Sequence, residues 1–305
     1  MKDNQVNAIE IRNLSKSFHG LHAVDNLSMT VPVGAIYGFI GENGSGKSTT
    51  EKLICGHLVP DHGSIKLFGK DYQDAGVRVR VGALIENAGC FPNASIYANL
   101  KMQALNLGLP NLHDEIMRVL KIVRMENQSK LPFKKCSLGM KQRVGIAMAL
   151  LGNPALLILD EPINGLDTDG MRIMREILID ITHNYHCTVL ISSHILGELE
   201  KIATHYGIIR HGHMIQELSA AEMDTRSQVL VNVQTNDNVH AVKLLKEKYA
   251  DVRLTDETIQ VFDENNPEKI VEYLLSHGCK IHAVQKHKVG LEEYYIELMS
   301  QQEDK

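Results

Sequence analysis

The chain has 305 residues, 44% of them hydrophobic and 23% charged, an ordinary globular composition with length for about two domains and a sizeable core. A net charge of −5 lacks the basic footprint of a nucleic-acid binder, so nucleic acid is not expected among the partners. Five cysteines, an odd number without CxxC spacing, exclude a disulfide framework and fit reduced thiols in the cytoplasm.

Residues 8–90 read as short strands and turns around one glycine-rich loop and its helix. The segment AIYGFI at 35–40 is apolar and β-prone, as in a buried strand. It runs into GENGSGKST at 41–49, where Gly41, Gly44 and Gly46 have no Cβ to keep backbone N–H groups away from a polyphosphate. Residues 48–57 lack a helix breaker until Gly56, which predicts a helix whose N-terminus faces the anion. Lys47 supplies a positive charge for the β- and γ-phosphates, and the Ser48 hydroxyl is placed to ligate Mg²⁺. The candidate triphosphate contacts are Gly41, Glu42, Asn43, Gly44, Ser45, Gly46, Lys47, Ser48 and Thr49.

Residues 95–150 look mainly helical. Segments 95–108 and 112–125 are predicted helices, the second with Ile116, Val119, Leu120 and Val123 at helical spacing. A helix over 141–151 follows CSLGMKQR (136–143), so Ser137 and Gly139 precede its N-terminus, where an N-cap or a second anion would sit. ALLIL at 155–159 is the continuous apolar run of a central parallel strand, and its end delivers Asp160 and Glu161. Asp160 is placed to hold Mg²⁺ through water, and Glu161 to orient and deprotonate an attacking water. A helix over 170–182 and a strand over 188–191 then lead to Ser192-Ser193-His194. His205, His211 and His213 lack the spacing of a zinc site, and His211-Gly212-His213 reads as a turn between strands 207–210 and 214–217. The start MKDNQVNAIEIRNLS has no apolar signal-peptide core. The most apolar stretch, 144–159, is broken by Gly152-Asn153-Pro154, short of the roughly 18 residues a membrane span needs.

Taken in this order, the pieces resemble the ATP-binding cassette (ABC) transporter ATPases over residues 8 to about 220. SLGMK at 137–141 is similar to the family's LSGGQ signature, Asn164-Gly165-Leu166-Asp167 to its D-loop, and His194 to its switch histidine, a donor to the γ-phosphate. Phe18 matches the aromatic that stacks on adenine. The resemblance implies an α/β P-loop NTPase fold with a helical subdomain (about 95–150) inside an ATPase domain spanning 1–222. It further implies a head-to-tail dimer in which Ser137, Gly139 and Asp167 of one subunit complete the ATP site of the other. Two departures, Glu86 where the family's Q-loop has glutamine and Ser-Leu-Gly-Met in the signature, look like the bacitracin-resistance and lantibiotic-immunity exporters. A carboxylate at Glu86 ligates Mg²⁺ more strongly than an amide and cannot donate a hydrogen bond.

From about residue 226 a second unit begins. Alternating Val229, Val231 and Val233 predict a strand over 228–234, followed by a helix over 238–249 and strands 251–254 and 257–262 around Thr255-Asp256-Glu257. Pro267 opens a helix that Gly278 closes, and a strand over 280–285 and a helix over 291–299 end the chain. The order βαββαβ suggests a small α+β, ferredoxin-like domain over 226–305, without a catalytic constellation and suited to a regulatory or interface role. The resulting expectation is an ATPase that powers a drug or peptide-antibiotic exporter, with ATP and Mg²⁺ as cofactors. It would sit peripherally at the cytoplasmic face of the membrane, with a second ATPase subunit and an integral-membrane permease on a separate chain. Ribosome- or DNA-acting ABC ATPases have two fused cassettes or long coiled coils, and importer ATPases more often carry a larger β-rich extension. Neither pattern is present.

Overall fold

The computed structural model describes residues 7–226, 229–255, 258–262, 264 and 266–303, so Asp256 and Glu257 of the expected turn lie outside the described residues. The chain divides into two compact units, residues 1–220 and 221–305.

The first unit opens with β1 (Asn7–Phe18), β2 (Leu21–Pro32) and β3 (Ile36–Ile40), followed by α1 (Lys47–Ile54), β4 (His62–Leu67), β5 (Lys70–Asp71), α2 (Ala75–Arg78) and β6 (Val81–Leu84). The helical stretch is α3 (Ile96–Asn106), α4 (Leu112–Ile122) and α5 (Leu138–Ala149). Then come β7 (Leu156–Asp160), α6 (Thr168–Tyr185), β8 (Thr188–Ser193), α7 (Leu196–Leu199), β9 (His205–Arg210) and β10 (His213–Ser219), after which α8 (Ala220–Arg226) begins at the boundary and belongs, from residue 221, to the second unit.

Six strands form one sheet in the order β10-β9-β3-β8-β7-β6, parallel except for the β9–β10 hairpin. Its inner strands are buried on both faces, hence the near-continuous apolar runs at 36–40 and 156–159. A second, antiparallel sheet has the order β2-β1-β4-β5. A single core joins the two sheets through α1: Ile9, Leu27 and Ile65 from the antiparallel sheet meet Phe39, Leu156 and Leu190 from the parallel one, with Leu53 and Ile54 of α1 among them. The helix behind the glycine-rich loop is thereby fixed from both sides. Tyr37, fully buried in β3, donates its hydroxyl to Glu217 at 2.6 Å, and the Thr30 N–H donates to the same carboxylate at 2.9 Å.

Several element ends differ from the sequence expectation, for local reasons. Residues 8–32 form two 12-residue strands rather than short ones. Helix α5 starts at Leu138, not 141, because the Ser137 hydroxyl accepts from the Met140 N–H and caps it there. Helix α6 starts at Thr168, not 170, because the Asp167 carboxylate accepts from the Gly170 N–H at 2.8 Å. Strand β8 continues through Ser192 and Ser193, both fully buried.

The second unit contains β11 (Val229–Thr235), α9 (Asn238–Lys248), β12 (Val252–Leu254), β13 (Ile259–Val261), α10 (Pro267–Ser276), β14 (Ile281–Lys288) and α11 (Leu291–Glu303). Its antiparallel sheet runs β12-β13-β11-β14, the ferredoxin-like arrangement expected of βαββαβ, and β14 extends three residues past the expected 285 to pair with β11. Val231 and Val233 of β11, Leu245 of α9 and Ile270 and Leu274 of α10 form its core.

Candidate active site

The loop between β3 and α1 is built by close backbone approach. A Cβ on Gly41 would lie 2.5 Å from the Ile209 carbonyl oxygen, and one on Gly46 (φ 108°) 2.4 Å from the Ala23 carbonyl oxygen. The Ser45 carbonyl accepts from the Gly212 N–H at 2.9 Å, tying the loop to the β9–β10 turn. The first turn of α1 carries Lys47, only 5% exposed, whose Nζ donates to the Gly41 and Glu42 carbonyls at 2.6 and 3.0 Å.

A cavity of about 380 Å³ opens over this loop, lined by Asn43, Gly44, Gly46, Lys47, Ser48 and Thr49 on one side and Asp160 and Glu161 on another. Leu21, His22, Ala23 and His211 complete it. The parallel sheet thus delivers Asp160 and Glu161 from the end of β7 to the loop that follows β3, as open α/β sheets do at their ligand-binding edge.

Glu161 adopts a left-handed backbone (φ 48°), a conformation uncommon outside glycine. Its carboxylate lies 2.8 Å from His194 Nδ1 and 3.9 Å from Lys47 Nζ, while its Oε1 is buried without a hydrogen-bond partner. Ser192, in β8, donates its hydroxyl to Asp160 at 2.9 Å and accepts from the Glu161 N–H at 3.1 Å, locking the two acidic residues in register.

Glu51 belongs to none of the sequence motifs yet sits beside this site. It lies on α1 one turn after Lys47, 0% exposed, and both its carboxylate oxygens are buried without a hydrogen-bond partner. Burial pushes its pKa well above the ordinary carboxylate value, and the Asp160 charge pushes it further in the same direction. The signal was its spacing, since 47, 51 and 54 share one helical face and both neighbours on that face are buried. A carboxyl with a raised folded-state pKa favours the fold while protonated, so its contribution is full below the unfolded value and is lost as pH rises towards the folded one. Glu51→Leu is therefore expected to raise the melting midpoint at pH 8, with a gain that shrinks as pH approaches 4.5; melting curves at both pH values check this.

Other expected residues fall elsewhere. Glu86 (φ 65°) does not line this cavity; its exposed carboxylate accepts from Lys52 Nζ at 2.6 Å, which holds its pKa below the usual range. Phe18 ends β1 opposite Leu21, 39% exposed, with Lys16 Nζ 5.6 Å from its ring centre. Ser137 and Gly139 line a separate cavity of about 410 Å³, shared with Gly165, Leu166 and Asp167. The signature and D-loop thus come together in this chain, but away from its own phosphate loop. Among the described residues, no three His, Cys, Asp or Glu side chains are grouped to hold a metal unaided, and no helix is long and apolar enough to cross a membrane.

A buried lysine in a phosphate cradle, facing an acidic pair at the edge of a parallel sheet, defines a P-loop nucleoside triphosphatase. A family model described as ABC transporter matches residues 24–164. The chain is 34% identical over 297 residues to the bacitracin transport ATP-binding protein BcrA of Enterococcus faecalis, across 95% of this chain and 96% of that one. It is 41% identical over 209 residues to the lantibiotic transport ATP-binding protein SrtF of Streptococcus pyogenes, across 68% of this chain and 90% of that one. Among solved structures, cbiO1 of Clostridium perfringens, part of the ABC transporter complex cbiONQ, is 27% identical with a TM-score of 0.66, covering 72% of this chain and 91% of cbiO1. The chain belongs to the ATP-binding subunits of ABC transporters, and it binds and hydrolyses ATP.

Proposed function

We propose that this ATPase powers a membrane exporter of a peptide antibiotic, as a homodimer attached at the cytoplasmic face of the membrane to a permease on a separate chain. The names of the two relatives, bacitracin transport and lantibiotic transport, support the substrate class. The observation that carries the chemistry is Glu161, held between Lys47 and His194 at the mouth of the phosphate cavity.

In this reading Gly41 to Thr49 wrap the triphosphate, Lys47 neutralises the β- and γ-phosphates, and Phe18 stacks on adenine. Ser48 and Asp160 border the same cavity and offer the hard oxygen donors that suit Mg²⁺. The absence of a three-ligand protein cluster among the described residues agrees with an ion that takes part of its shell from substrate phosphates and water. Bound there, Mg²⁺ supplies positive charge to the phosphate oxygens. Glu161 takes the proton of the attacking water, and His194 donates to the γ-phosphate. Ser137 and Gly139, at the N-terminus of α5, and Asp167 beside them cover the partner subunit's nucleotide. The C-terminal ferredoxin-like unit serves regulation or an interface.

Glu86 is the point of contact with the permease in this proposal, and it reaches the metal only by leaving Lys52. Glu86→Gln is expected to keep most ATPase activity yet lower export, and Glu86→Ala to lower both if the carboxylate joins the metal shell. Side-by-side ATPase rates and resistance levels decide, and wild-type values for both variants in both assays would remove any special role at this position. The exporter reading is tested by deleting the gene and measuring sensitivity to bacitracin and a panel of lantibiotics. Unchanged sensitivity to all of them overturns the substrate class.

A further inference from the structure

The phosphate cavity has two unlike ends. One carries Lys47, Ser48, Asp160 and Glu161, the groups suited to phosphate and metal. The other is closed by the start of β2 and the β9–β10 turn, and its polar side chains are two imidazoles, His22 and His211.

His22 is anchored through its ring and His211 through the backbone turn that carries it. His22 Nδ1 is 3.0 Å from the Ser17 hydroxyl, which leaves Nε2 as the ring atom available to a ligand. His211 occupies a left-handed backbone position (φ 49°) in a two-residue turn. That turn is fastened on both sides: the Gly212 N–H donates to the Ser45 carbonyl at 2.9 Å, and the Gly212 carbonyl accepts from the Asp25 N–H at 3.0 Å. A Cβ on Gly212 would meet Asp25 N and Val24 Cα at 3.1 Å, so the turn sits directly against β2. The loop that wraps the triphosphate therefore also fixes the turn that carries His211.

We propose that His22 and His211 form a sugar-binding pair that hydrogen-bonds the ribose hydroxyls of the bound nucleotide and selects ribonucleotides over dideoxynucleotides. The inference rests on the ATP-site reading. A triphosphate seated on Lys47 has its sugar as the next group away from the γ-phosphate, towards the end where the histidines lie. His22 offers its Nε2 and His211 a ring nitrogen, so the pair presents one hydrogen-bonding nitrogen to each of two vicinal hydroxyls. An analogue without the hydroxyls forgoes these hydrogen bonds, which lowers its affinity relative to the ribonucleotide.

The test is equilibrium binding of ATP and of 2′,3′-dideoxy-ATP to the full chain, with thermal melts to verify folding. Wild type is expected to bind ATP about tenfold more tightly than the dideoxy analogue, the scale of one to two hydrogen bonds. His22→Phe and His211→Gly, the latter tolerant of the left-handed turn, each weaken ATP binding several-fold and leave the analogue's affinity near wild type. Both ligands then bind about equally in the double variant. His213→Gln is the control on the same turn, since His213 Nε2 faces Asp25 at 3.5 Å and lines none of the cavity; it keeps the wild-type ratio. A wild type without discrimination, or variants that weaken both nucleotides equally, overturns the sugar pair while leaving the ATP site intact. A wild type that binds neither nucleotide overturns the site reading itself.

Discussion

Replacing Lys47 with alanine is expected to abolish tight ATP binding. Lys47 is the cation of the phosphate cradle, and the residue is only 5% exposed, so its charge acts with little solvent screening. In the folded chain it bridges the Gly41 and Glu42 carbonyls and faces Glu161. The substitution therefore removes the charge and also loosens the loop that presents the backbone N–H groups. Titration with labelled ATP at low micromolar concentration measures the effect, and wild-type affinity in the variant would refute the cradle. A melting curve separates loss of binding from loss of fold.

Glu161→Gln is expected to leave ATP binding intact and cut turnover by about 10²- to 10⁴-fold, the range for loss of a general base. The amide retains the shape and one acceptor for the His194 ring but cannot take a proton from water. With hydrolysis blocked and binding preserved, the variant should accumulate an ATP-bound dimer in size-exclusion chromatography. Single-turnover rates with saturating ATP give the decisive number. A rate within a few-fold of wild type would assign the base elsewhere, and His194 would be the next residue to test.

Much of this was legible from residues alone because local rules governed it. The apolar runs at 36–40 and 156–159 could only be strands buried on both faces, and GENGSGKST after the first fixed where a phosphate would sit. The βαββαβ order of the second unit followed from alternating valines, Pro267 and Gly278. What escaped notice depends on neighbours distant in sequence. The Lys52 contact of Glu86 bridges 34 residues, and Ser192, 31 residues beyond Glu161, holds the acidic pair in register. His211 is a turn residue, as its sequence suggests; its place on the nucleotide cavity follows from the backbone bond of its neighbour Gly212 to Ser45, which no spacing rule encodes. Helix starts were misjudged where a side-chain cap, Ser137 or Asp167, began the helix before its apolar pattern did.

The two separate cavities, one at the phosphate loop and one at the signature, have a genetic consequence. A copy with a broken phosphate loop still offers an intact signature, so it does not fall silent when expressed beside a normal copy. In the head-to-tail dimer proposed above, it recruits normal chains into mixed assemblies that hold one competent site in place of two. If both sites must fire, output falls as the square of the normal fraction, and a damaged allele is dominant over a healthy one. In that proposed dimer, an allele damaged at Ser137 poisons the opposite site of the same assembly. Mixing the two defective alleles confines both faults to one site and restores the other, so output from the pair shows that one competent site suffices, and no output shows that both must fire.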